Sequence, residues 1–133
     1  MPGCPTNAAY RETLPLNCPP PGAVPTHSIK AWRAVANSPV QDVDFHSVAY
    51  LNPGREAKAS DVGKCSLRSV SLFTIREEAA KVQKLKGKEH LIYVALINLA
   101  PTLGCMEQSS SHVHWWPLGS CVPVSLVSKI EII

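Results

Sequence analysis

No stretch of the chain approaches the roughly 18 consecutive apolar residues that a membrane-spanning helix needs. The longest mostly apolar run, Leu91 to Leu99, has the length of a strand. The N-terminus lacks the charged and apolar regions of a secretory signal, because prolines interrupt it from Pro2 to Pro25. These absences predict a soluble, cytoplasmic protein that makes no use of a membrane. There is no CxxC pair, and the five cysteines, Cys4, Cys18, Cys65, Cys105 and Cys121, are odd in number. Both points argue against a zinc ribbon and against a disulfide framework, so reduced thiols are expected. The seven glycines form neither GxGxxG nor a P-loop, and HExxH and GxSxG are absent too. A net charge of +3 is too small to suggest nucleic acid as a partner.

What is present suits a small globule. A length of 133 residues with 45% hydrophobic content allows one core. Residues 1–26 hold Pro2, Pro5, Pro15, Pro19, Pro20, Pro21 and Pro25 and few large apolar groups, which predicts a flexible proline-rich arm. Residues 27–133 are expected to form a single α+β domain. Its sheet should be mixed or mainly antiparallel, of about five strands, with one or two helices packed on it.

Along that domain, Ser28 to Asn37 fits either a helical face or an alternating strand. Phe45 to Leu51 is predicted as a strand ended by Asn52-Pro53-Gly54, with a polar loop to about Gly63. Leu67 to Phe73 alternates as a strand. Thr74-Ile75-Arg76-Glu77 has the pattern of a capping box opening a helix to Lys86, with Ile75, Ala79, Val82 and Leu85 as its buried stripe and Gly87 as its stop. Leu91 to Ile97 does not alternate, which predicts a central strand covered on both faces. A serine-rich loop to Ser111 and a strand from His112 to Trp116 should follow. Val122 to Ile133 should form an amphipathic last strand, at an edge, leaving open a homodimer through it.

The chemistry concentrates around His112, His114 and Trp116. Side chains two apart on a strand point the same way, so His112 and His114 share a face, a spacing used by metal sites. His46, His90, Glu107 and Cys105 are the candidates for a third ligand. Trp115 and Trp116 must face opposite ways. An outward Trp116 beside two imidazoles would suit a ring-shaped ligand or a partner's side chain. The basic residues Arg76, Lys81, Lys84, Lys86 and Lys88 are read as a solvated helix face.

His112-Val113-His114-Trp115 resembles, over those four residues, the zinc-binding strand of the α-carbonic anhydrases, which implies Zn and a metal-hydroxide mechanism. Arg33, the Ser69-Val70-Ser71 stretch and Glu107 follow the order of the arginine, serine motif and glutamate of the ADP-ribosyltransferase superfamily. That resemblance implies NAD as cofactor, with Arg33 on its phosphates, Ser69 and Ser71 shaping the nicotinamide pocket, and Glu107 stabilising an oxocarbenium-like transition state. The expectation drawn from the residues themselves is a ligand- or partner-binding module using His112, His114 and Trp116. An NAD-using enzyme and a mononuclear metal site on His112 and His114 stand as alternatives.

Overall fold

The computed structural model describes Cys4 and residues 9–133. Among these, seven strands form one antiparallel sheet: β1 (Val24–Pro25), β2 (Ile29–Val35), β3 (Val70–Phe73), β4 (Tyr93–Leu99), β5 (Gly104–Ser109), β6 (His112–Pro117) and β7 (Val127–Ile132). Their spatial order is β1-β5-β6-β3-β2-β4-β7. Four short helices accompany them: α1 (Val48–Leu51), α2 (Pro53–Ala57), α3 (Asp61–Leu67) and α4 (Arg76–Ala80). The α+β class is as expected, with more strands and more helices than expected.

The differences have local causes. β2 hides its alternation because both of its faces are covered: Ala31 and Val35 are buried on one and Ala34 on the other. β5 occupies the stretch expected as a loop, so Glu107 stands on a strand. The exposed Gln108 and Ser109 made it look like a loop, while Cys105 and Met106 are fully buried. Gly104 begins this strand at φ 131°, where a Cβ would strike the Trp116 carbonyl.

Phe45 to Leu51 is not a strand. Phe45 closes a 3-10 turn from Asp42, and Ser47 caps α1 by accepting from the Tyr50 amide at 3.1 Å. The expected loop up to Gly63 is helical instead. Pro53 sits at the start of α2, where its missing N–H costs nothing, and Ser60 caps α3 through the Gly63 amide.

The expected capping box does not form. The Thr74 amide is held by the Ser111 carbonyl, which keeps Thr74 with the sheet, and α4 starts at Arg76 without a side-chain cap. Of its expected stripe only Ala79 is buried, and Ile75 and Leu85 are exposed. Gly87 is left-handed, at φ 81°, but it lies in the turn after the helical stretch. That stretch ends at Ala80 and continues as a 3-10 segment only to Lys84, so Gly87 is not its stop. β4 is covered on both faces but lies next to the edge strand β7, and the middle of the sheet is β3.

One face of the sheet carries the main core, built around Trp115, Leu72, Val113, Ile97, Met106 and Phe45. The second face is covered in pieces. α4 contacts β2, β3 and β4, and Ala79 is buried along with Ala34 and Val94 of that face. At the other end, α3 reaches Trp116, whose indole N–H donates to the Cys65 carbonyl at 3.0 Å.

The described part of the proline-rich leader lies against this domain. Arg11 donates to the Phe45 carbonyl and pairs with Asp42. Glu12 accepts from the Ser47 amide and hydroxyl and from Arg68, which also grips Glu56. The expectation of reduced thiols fails for four cysteines: Cys18 is bonded to Cys65 and Cys4 to Cys105, while Cys121 is free and buried. The odd total concealed two pairs that only tertiary proximity reveals. No helix among the described residues is long and apolar enough to cross a membrane.

The expected outward Trp116 is also corrected. It faces away from Trp115, as alternation requires, yet it is only 1% exposed because α3 covers it. Replacing it by alanine should cost about 3–5 kcal/mol of stability. Urea denaturation checks this, and a loss below about 1 kcal/mol would contradict a buried ring.

Candidate functional site

β3, β6 and β5 are neighbours, and their register lines up three polar side chains. Ser71 lies opposite His114, and His114 lies opposite Glu107. One step along, Phe73, His112 and Ser109 form the next row. All six belong to the second face, where Glu107 lies against Gly22 of the leader. His112 and His114 are half-buried there.

Each imidazole leans diagonally to a serine rather than straight across. His114 Nδ1 is 2.8 Å from the Ser69 hydroxyl, and His112 Nε2 is 3.0 Å from that of Ser71. Diagonal neighbours in an antiparallel pair are within reach of long side chains. Ser69 also donates to the Ser66 carbonyl at 2.7 Å. A hydroxyl has one proton, so the His114 contact must have Nδ1–H as its donor. The His114 Nε2 atom is then a lone-pair acceptor. It has no hydrogen bond among the described residues and is not sealed from solvent.

The rings run in file. Phe73 stacks on His112 at a centroid distance of 4.7 Å, His112 lies 4.2 Å from His114, and His114 lies 6.1 Å from Trp116. Burial resists charging either imidazole. Desolvation, reinforced by nearby His112, pushes His114 down to about 4, and desolvation lowers His112 as well. At neutral pH the pair presents uncharged rings.

Arg33 lies elsewhere. Its neighbours in register put it on the main-core side of β2, where its guanidinium donates to the carbonyls of Asp44 at 2.7 Å, Ser71 at 2.9 Å and His46 at 3.2 Å. Only Trp32 and Phe73 are paired between β2 and β3, and Arg33 supplies hydrogen bonds where these strands part. Burial pushes it down to about 10, opposed by Asp44, so it stays cationic. The structure therefore brings Ser71 and Glu107 to one face, with His114 between them, and leaves Arg33 occupied with main-chain carbonyls.

The other candidates for a third metal ligand are not gathered here. His46 stacks on Tyr50, near Asp42 and Glu12. Cys105 is in a disulfide. Among the described residues no three His, Cys, Asp or Glu side chains are disposed to hold a metal. Two clefts lie away from the rings. One of about 300 Å³ is bounded by Leu14, Pro15, Pro53, Glu56, Lys64 and Arg68, and the other, of about 510 Å³, by leader residues between Ala9 and Cys18.

Sequence reasoning found the histidines but not their serine partners. The signal was present, since Ser69-Val70-Ser71 and His112-Val113-His114 share one alternation and pair along it. The Glu12, Ser47 and Arg68 cluster had no signal of this kind, because it joins residues far apart in the chain.

The chain matches no protein-family model, no curated protein and no solved structure.

A depressed imidazole pKa lets the unfolded chain take up a proton before the folded one does. The contribution of neutral His114 should be complete above the unfolded value of roughly 6.5, fall as the pH drops toward about 4, and level off below it. Thermal unfolding followed between about pH 7 and pH 4 should show the wild type losing a few degrees more than His114→Gln. Parallel curves for the two proteins would exclude His114 as the titrating group.

Proposed function

We propose that the chain is a binding module whose recognition surface is the second face of β3, β5 and β6. Its ligand is a ring-shaped small molecule or a partner's side chain, which lies beside Phe73, His112 and His114. One observation carries this reading: two uncharged imidazoles are held in fixed orientation by Ser69 and Ser71, with the His114 Nε2 lone pair unused. A ligand donating one hydrogen bond and offering a flat face fits such a surface. Trp116 supports His114 from beneath α3 and takes no direct part.

An NAD-using enzyme of the ADP-ribosyltransferase kind is the second reading. The shared face of Ser71 and Glu107 favours it, and the three carbonyls held by Arg33 weigh against it. A metal on His112 and His114 would have these two protein ligands alone among the described residues. The two disulfides favour an oxidising compartment over the cytoplasmic expectation.

Chemical-shift titration with indole, nicotinamide and para-cresol as ring probes tests the binding reading. Resonances of Phe73, His112 and His114 should move with at least one probe, and His114→Ala should weaken that probe roughly tenfold, about 1.4 kcal/mol. Shifts confined to other residues, or equal affinity in the variant, would reject it. A thermal shift with NAD, abolished by Glu107→Gln, would favour the enzyme instead.

A further inference from the structure

The sheet ends differently on its two sides. β1 has two residues, one of them Pro25, and gives a further strand nothing to pair along. β7 offers six. The Ile133 amide donates to the Ile92 carbonyl, and the same register continues through Val94 opposite Glu131 and Leu96 opposite Lys129. Bonded and non-bonded pairs alternate in an antiparallel ladder. Glu131 and Lys129 therefore turn their main-chain groups toward β4, and Ile130 and Ile132 turn theirs outward. The Ile132 carbonyl, taken by Arg76 at 3.0 Å, is one of these outward groups. Beside this edge Ile132 is 75% exposed and Ile92 43%.

We propose that β7 is the seam of a homodimer. A second copy of the chain adds its own β7, antiparallel, about a two-fold axis through Ile130, so that the two sheets become one. The register follows from parity and charge. Outward-facing residues must oppose outward-facing residues, so the axis passes through a residue and not between two. An axis at Lys129 sets lysine against lysine, and one at Glu131 sets glutamate against glutamate. An axis at Ile130 sets Lys129 opposite the partner's Glu131 and Glu131 opposite the partner's Lys129, which is the favourable cross-strand pairing. It engages five residues of β7, Ser128 to Ile132.

A lysine on an edge ordinarily deters strand addition. Here it deters the other registers and rewards this one. Within one chain Lys129 already lies 3.0 Å from Glu131, whose other oxygen is fixed by Arg76 at 2.6 Å. The lysine can exchange its own glutamate for the partner's while both carboxylates stay paired. Ile130 meets its own copy on the opposite face, and Ile132 gains the partner's Ile130 as a diagonal neighbour. Three strands, β4, β2 and β3, separate β7 from the histidine strand β6, so this inference is independent of the binding reading.

Light scattering on the full chain between roughly 1 and 100 µM tests it. The expected mass at the upper end is twice the 14.4 kDa of one chain. Lys129→Glu should give a monomer with unchanged far-ultraviolet circular dichroism, and adding Glu131→Lys to it should restore the dimer. In the wild type the Ile130 amide should exchange more slowly as concentration rises, while that of Lys129, already bonded within the chain, should not respond. A wild type monomeric throughout, a dimeric Lys129→Glu protein, or a folded double variant that stays monomeric would each overturn the proposal. If the variants do not fold, the wild-type exchange decides, and an Ile130 amide indifferent to concentration overturns it.

Discussion

Adjacent tryptophans on one strand cannot share a face, and the rest of the structure accommodates that constraint. Trp115 fills the main core, so Trp116 must point out of the opposite side of β6. Leaving an indole of that size in water would forgo a large apolar burial. α3 provides the cover and accepts the indole N–H on the Cys65 carbonyl. α3 is in turn tied down by the Cys18–Cys65 disulfide and by Arg68, which joins Glu56 of α2 to Glu12 of the leader. The proline-rich segment thereby becomes part of the device that keeps the second face covered.

That cover is discontinuous, and the histidines occupy the gap. α3 ends over Trp116 and α4 packs at the β2 and β4 side, so the ring row from Phe73 to His114 is half-shielded. Half-shielding withdraws enough water to keep both imidazoles neutral at neutral pH. The serines contribute orientation. A neutral imidazole has one donor and one acceptor, and the Ser66, Ser69, His114 sequence of hydrogen bonds settles which nitrogen is which.

Arg33 shows the same economy on the core side. Where β2 and β3 separate, unpaired carbonyls would be costly to bury. One guanidinium, with its five donors, satisfies three carbonyls drawn from β3 and from the turn around Asp44. A role in holding phosphates would require these bonds to be given up, so its place in the order of residues along the chain is a weak guide to its chemistry.

Local pattern by itself determined the strand character of His112 to Trp116, the common face of His112 and His114, and a strand near the C-terminus. That last strand, expected from Val122, starts only at Val127, because Pro123 to Leu126 form a 3-10 turn. Each depends on alternation, which neighbours in sequence express directly. Tertiary structure alone decided the two disulfides, the burial of Trp116, the serine partners of the histidines and the occupation of Arg33. It also replaced the Thr74 cap with a sheet contact and turned the stretch from Val48 to Leu67 into helices. These features join residues distant in the chain or weigh one local preference against another, and only the packed arrangement brings the competing groups within reach.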